Sequence, residues 1–250
     1  MARHTLLGFT SVLALGVTAC TTVAAPADHS EQRAEQSQQI DRPSGAIHWP
    51  GLPPDSHQYV NRRLDEIESA PRMEGGVLFV GDSITDGAPL YAMFPNLKIA
   101  NHGIAWDTTD GVLLRLHQIT RHNPDRIFVM IGTNDTDYTD SHEQISRNIL
   151  KIAERLTIEL PETELYVVSI LPRGGPGNAV ISATNERLAS EASNRAFTFL
   201  DLAGFMRGSD GEMDPALSYD NLHLNVHGYA VWEQALGACV WTGCPAGLED

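Results

Sequence analysis

Residues 76–86 read GVLFVGDSITD. The apolar residues Val77 to Val80 stand between two glycines with no polar position among them. A strand wetted on one face alternates apolar with polar, whereas a strand covered on both faces does not. This run therefore predicts a buried strand of a parallel sheet. Arg126 to Gly132, with its core Ile-Phe-Val-Met-Ile, predicts another. Shorter runs at Leu97–Ala100, Glu164–Leu171 and Ala196–Leu200 complete five. Helical spacing separates them. Tyr59–Ser69 carries Val60, Leu64 and Ile67 on one face, and Thr108–Gln118 turns Val112, Leu113, Leu116 and, just beyond its end, Ile119 inward. Ser141–Leu160 opens on a capping box, Ser141 with Gln144, and stops before Pro161. Ala179–Ser193 is a further helix, and Asn225 caps a last one, Val226–Leu236. Strands alternating with helices specify the α/β class: a five-stranded parallel sheet between two helical layers, an α/β/α sandwich with right-handed crossovers.

The chain has 250 residues, with 17 Lys+Arg against 32 Asp+Glu, a formal net charge of −15. Phosphate neutralisation needs clustered cations, and no such cluster exists, so nucleic-acid binding is excluded as a reading. Electrostatic docking to anionic lipid is disfavoured for the same reason. Three cysteines are too few for a disulfide scaffold or a structural zinc site.

The N-terminus reads as an address. Arg3 precedes an uncharged apolar stretch, Thr5–Ala19, too short to span a bilayer comfortably but suited to an export signal. Val17-Thr18-Ala19-Cys20 resembles the lipobox of bacterial lipoproteins, which makes Cys20 a lipidation site and residues 1–19 a lipoprotein-type signal. The alternative is a soluble secreted or periplasmic protein cleaved at Ala25-Pro26-Ala27. Residues 20–46, rich in Gln, Ser, Ala and Pro without apolar periodicity, have the composition of a flexible tether. The domain is expected over 47–250. Cys239 and Cys244, five apart, could pair in an oxidising compartment or remain free thiols.

Ligands of such sheets bind beyond the carboxyl ends of the strands. The segments there are Gly81-Asp-Ser-Ile-Thr85, Asn101-His-Gly103, Gly132-Thr-Asn-Asp135 and Pro172-Arg-Gly-Gly-Pro-Gly177. Ser83, on a turn after a buried strand, is a candidate nucleophile and needs a base. Of ten histidines, His223 has the best context, because Asp220 lies three residues before it and can orient its imidazole. Donors for an oxyanion would come from the N–H groups of Ser83 and Gly103 and the amide of Asn134.

These blocks resemble those of the SGNH (GDSL-like) hydrolases, a superfamily of esterases and lipases. Gly81-Asp-Ser-Ile-Thr-Asp86 resembles the nucleophile block, Asn101-His-Gly-Ile104 the second, Gly132-Thr-Asn-Asp135 the G-x-N-D block, and Asp220-Asn-Leu-His223 the D-x-x-H block. The resemblance covers about residues 75–236. Its spacing is similar to platelet-activating-factor acetylhydrolase subunits and carbohydrate acetylesterases. It implies a flavodoxin-like sheet of order 2-1-3-4-5, a Ser83–His223–Asp220 triad, an oxyanion hole of Ser83, Gly103 and Asn134, and no metal or cofactor. The second block continues Ala105-Trp106-Asp107, where many such enzymes carry a small residue near Trp106.

The resulting expectation is a serine esterase for short acyl groups, acetyl above all, on a saccharide or small alcohol. Its membrane contact is the N-terminal lipid alone. A lipid acyl hydrolase of the same fold, lysophospholipase or thioesterase, is the alternative, and a non-catalytic carbohydrate-binding protein the third reading. Trp106 and Arg173 are candidate substrate-lining residues. Asp82, Asp86 and Asp135 are read as loop supports. His102, His117, His122 and His142 are read as surface or satisfied histidines, and His223 with His227 as an unpromising zinc pair.

Overall fold

Each central strand sends alternate side chains to opposite faces, and both faces are covered. The computed structural model describes residues 54–244. The expected export signal, the expected lipidation site Cys20 and the expected tether lie outside these residues. Strands β1 (Val77–Gly81), β2 (Ile99–Gly103), β3 (Arg126–Met130), β4 (Glu164–Val168) and β5 (Thr198–Leu200) form one parallel sheet of order 2-1-3-4-5. Phe79, Phe128 and Tyr166 are cross-strand neighbours and stack, with centroids 5.1 and 4.7 Å apart. They face the last helix, Val226–Thr242, through Trp232 and Leu236. Leu78, Val80, Ile127 and Val129 point the other way, toward Ile145, Ile149 and Ile152 of the helix His142–Glu159 and Ile181 and Leu188 of the helix Gly177–Ala192.

In chain order the helices are α1 (Pro54–Ser69), α2 (Ser83–Asp86), α3 (Leu90–Met93), α4 (Thr109–Leu114), α5 (Leu116–Thr120), α6 (His142–Glu159), α7 (Gly177–Ala192), α8 (Ala203–Met206) and α9 (Val226–Thr242). Three sequence readings need correction. The strand expected at Leu97–Ala100 runs Ile99–Gly103, because polar Asn101 and His102 extend the ladder beside β1. The helix expected over Thr108–Gln118 breaks at Arg115, whose side chain is wholly buried and ion-paired with Asp107 at 2.8 Å. The capping box is one-sided. Ser141 Oγ accepts from Gln144 N–H, but Ser141 N–H donates to Thr139 Oγ1 and not to Gln144. Cys239 and Cys244 are joined by a disulfide at the end of α9.

Candidate active site

Ser83 is placed by what precedes it. The buried run of β1 ends at Gly81, and Asp82 Oδ1 accepts from Ile84 N–H at 3.0 Å, which caps the single turn α2 with Ser83 at its head. Asp82 is fully buried, and burial foremost raises its pKa from 3.8 to about 7. The Ile84 bond opposes this, and repulsion from Asp107 and Asp135 adds to it. Asp135 is likewise raised, to about 6, by burial, against two hydrogen bonds from Thr109. Asp86 accepts from Ala105 N–H and pairs with Arg63 at 3.2 Å. These carboxyls build the loops, as the sequence reading expects of them.

His223 arrives on the loop before α9. Gly174 N–H donates to Asn221 O, and Ser218 Oγ donates to His223 O, tying this loop to the one after β4 and to itself. Asn225 caps α9 by accepting from His227 and Gly228 N–H, while its Nδ2 holds Ala216 O at 2.9 Å. A side chain at Gly228 would meet Leu217 O at 2.3 Å, so only glycine lets α9 press this closely on the loop. Tyr229 then donates to Ile84 O at 2.8 Å, docking α9 on the nucleophile turn.

The geometry that results is a relay. Ser83 Oγ lies 2.9 Å from His223 Nε2, and His223 Nδ1 lies 2.7 Å from Asp220 Oδ2. Asp220 Oδ1 also accepts from His223 N–H at 2.7 Å and from Leu222 N–H at 3.0 Å. Burial pushes Asp220 up, but the His223 bonds outweigh it and hold the carboxyl below its usual range. With Nδ1–H donating to Asp220, Nε2 is left to accept from the Ser83 hydroxyl. Tyr219, 70 % exposed, stacks its ring on His223 at 5.8 Å.

The donor set differs from the sequence expectation at one position. Gly103 N–H donates to Asn101 Oδ1 at 2.8 Å and is not free to meet an oxyanion. Gly103 has a steric purpose instead, since a Cβ there would fall 2.2 Å from Asp86 N. Because β2 runs to Gly103, the turn facing the site is 104–107. In it Trp106 has φ +65°, and neither its N–H nor that of Ser83 has an acceptor among the described residues. Asn134 gives one amide hydrogen to Asp107 O at 2.8 Å and keeps the other. Ser83 N–H, Trp106 N–H and Asn134 Nδ2 are thus the available donors. Local sequence carried no signal for this exchange, because which N–H is free depends on where β2 ends.

Arg173 is half-buried. Its Nη1 donates to Thr133 O and Thr136 Oγ1, and it pairs with Asp137 at 3.2 Å. With Glu212, Asp220 and Asn221 it lines a polar cleft of about 400 Å³ on the His223 side. His102 departs from the expectation. It is buried beside His122, ring to ring at 5.0 Å, and its Nδ1 has no partner. Burial, then Arg115, holds it well below its usual pKa. Among the described residues no group of three or more His, Cys, Asp or Glu is placed to hold a metal ion. Tyr59, Tyr219 and Tyr229 escaped sequence reasoning, because nothing in their local context marks them.

The sequence model of the GDSL-like Lipase/Acylhydrolase family matches residues 79–231. Platelet-activating factor acetylhydrolase IB subunit alpha2 of Homo sapiens is 32% identical over 167 residues, which is 63% of this chain and 72% of that protein. A GDSL-like lipase of Bacteroides thetaiotaomicron superposes with a TM-score of 0.65 at 20% identity, covering 72% of this chain and 96% of the other. An acetylxylan esterase of Geobacillus stearothermophilus superposes with a TM-score of 0.55 at 18% identity, covering 69% and 96%. These two structural likenesses speak to the fold.

Proposed function

The chain belongs to the GDSL-like lipase/acylhydrolase family and is a hydrolase; from that premise we propose that it cleaves short-chain carboxylic esters, acetyl esters of saccharides or small alcohols, through Ser83. The observation that carries this is the relay from Ser83 Oγ to His223 Nε2 at 2.9 Å and from His223 Nδ1 to Asp220 at 2.7 Å.

Ser83 Oγ attacks the carbonyl carbon while His223 Nε2 takes its proton. Asp220 holds the ring in the accepting tautomer and stabilises the imidazolium that forms. Negative charge develops on the carbonyl oxygen, where Ser83 N–H, Trp106 N–H and the second Asn134 amide hydrogen receive it, each worth roughly 3–4 kcal/mol in the transition state. The tetrahedral intermediate collapses, the C–O bond to the alcohol breaks, and His223 returns the proton to the departing oxygen. Water, deprotonated by His223, then attacks the acyl-Ser83 ester. The carboxylic acid leaves and Ser83 recovers its proton.

Bulky Trp106 beside the donors supports a short acyl group. The polar cleft of Arg173, Glu212 and Asn221 on the His223 side supports a hydroxyl-rich alcohol. A p-nitrophenyl ester series tests the acyl half, with kcat/KM expected to be highest for acetate. A maximum at octanoate or longer would assign the lipid acyl-hydrolase reading instead. Labelling of Ser83 by a fluorophosphonate is expected, and its failure would leave only the non-catalytic binding reading. The same proposal places the enzyme outside the cytoplasm on a Cys20 lipid anchor. Cys20→Ser is expected to move it from the detergent to the aqueous phase on phase partitioning.

A further inference from the structure

We propose that α1, which lies upstream of the family-matched segment, builds the acyl-side wall of the site with Tyr59 and thereby sets its acyl-length limit. This rests on the esterase reading above.

Three observations converge on the turn 104–107. First, the apolar stripe of α1, Val60, Leu64 and Ile67, packs on Ile104, which is fully buried. Second, Tyr59 and Arg63, one helical turn apart, grip the loop ends. Tyr59 donates to Asp86 Oδ2, Arg63 pairs with Asp86, and the Arg63 guanidinium donates to Gly103 O at 3.1 Å and Asn101 O at 2.7 Å. Burial and the bond to Asp86 push the Tyr59 hydroxyl up to about 12, so it remains a donor at neutral pH. Third, the Tyr59 ring meets the Trp106 ring edge-on at 6.0 Å, while the guanidinium of Arg62 lies over the Tyr59 ring at 5.2 Å.

Trp106 holds a backbone conformation that a residue with a Cβ adopts only where its surroundings insist. The contacts with α1 supply that insistence. The strained turn presents an N–H to the site, and the side chain on the same residue remains 42 % exposed at the mouth.

Sheet order assigns the wall to the acyl group. The turn after β2 flanks β1 on one side. His223 comes from the other flank, where its loop bonds to the one after β4. The leaving alcohol must stand beside His223 to be protonated. The acyl chain is then directed toward β2, against Trp106 and Tyr59. Tyr59 acts as a specificity-determining residue by direct contact and as a positioning residue through Trp106.

The test is Tyr59→Ala, with Tyr59→Leu as the variant that keeps more packing, and Tyr59→Phe, assayed on an acyl series with fixed leaving group and on acetates of several alcohols. Tyr59→Ala is expected to raise kcat/KM for octanoate relative to acetate by at least about tenfold, chiefly through KM, with the alcohol profile unchanged. Tyr59→Leu gives a smaller change in the same direction. Tyr59→Phe keeps the ring and the parental acyl preference, but without the bond to Asp86 it loses about fivefold in kcat on every ester. An unchanged acyl profile in folded Tyr59→Ala or Tyr59→Leu overturns the inference, as does a shift confined to the alcohol series. Inactivity of the parent on all esters, or no fluorophosphonate labelling, would instead overturn the esterase reading.

Discussion

In the proposed mechanism Ser83, His223 and Asp220 act as one unit, so removing any of them should abolish most of the rate without loosening the fold. Ser83→Ala and His223→Ala are each expected to lower kcat by about 10⁴–10⁶, with the melting temperature unchanged. Asp82 makes a prediction about stability. Its folded pKa stands above the unfolded value, from 3.8 to about 7, so the folded state binds more protons across that interval. Stability from this group is therefore full below about 4 and is lost as pH rises toward about 7. Asp82→Asn keeps an acceptor for Ile84 N–H and removes the charge. Its melting temperature should fall less than the parent's between pH 5 and 8, and an equal fall would exclude Asp82 as the source. At this scale the residues that meet, Ser83 with His223 and His223 with Asp220, were legible, because a buried run ending in a turn and a D-x-x-H spacing are local patterns. The donor at Trp106 was not, because whether Gly103 or Trp106 offers its N–H depends on where β2 stops.

The elements were legible where their patterns were pure. β1, all apolar, and β3, apolar after Arg126, were read almost to the residue, as were α6 and the start of α9. β2 was misplaced because Asn101 and His102 look like loop. Their polarity is accommodated by Asn101 bonding Thr85 O and by His102 packing on His122. The break at Arg115 was invisible because arginine is a good helix former, and only its buried pairing with Asp107 shows why it stands between two helices. Asn225 joins elements: it caps α9 and anchors the His223 loop. Asn225→Ala is expected to cost about 1–2 kcal/mol of stability. Because it also loosens the loop carrying the base, kcat should fall with it. A loss of stability with kcat intact would show that the loop is held by its other bonds alone.

At the scale of the whole molecule, the disulfide Cys239–Cys244 closes a loop between residues five apart. The chain-entropy relation assigns it about 2 kcal/mol. Replacing both cysteines by serine should lower the melting temperature by about 4–8 °C, and a reductant should lower the parent's alike. No change in either would show that the unfolded chain gains nothing from its release. The alternation of apolar runs with helical spacing was enough to determine the parallel sheet and its two covers, since strands buried on both faces can be satisfied only that way. The four blocks pointed to the strand ends whose loops meet around Ser83, since loops beyond the carboxyl ends of adjacent strands lie side by side. Tertiary structure alone decided which backbone N–H groups face the site, because strand ends are set by pairing with a neighbour and not by local composition. It alone brought α1 against Trp106, because a contact between Tyr59 and a turn nearly fifty residues away leaves no periodic trace in the chain.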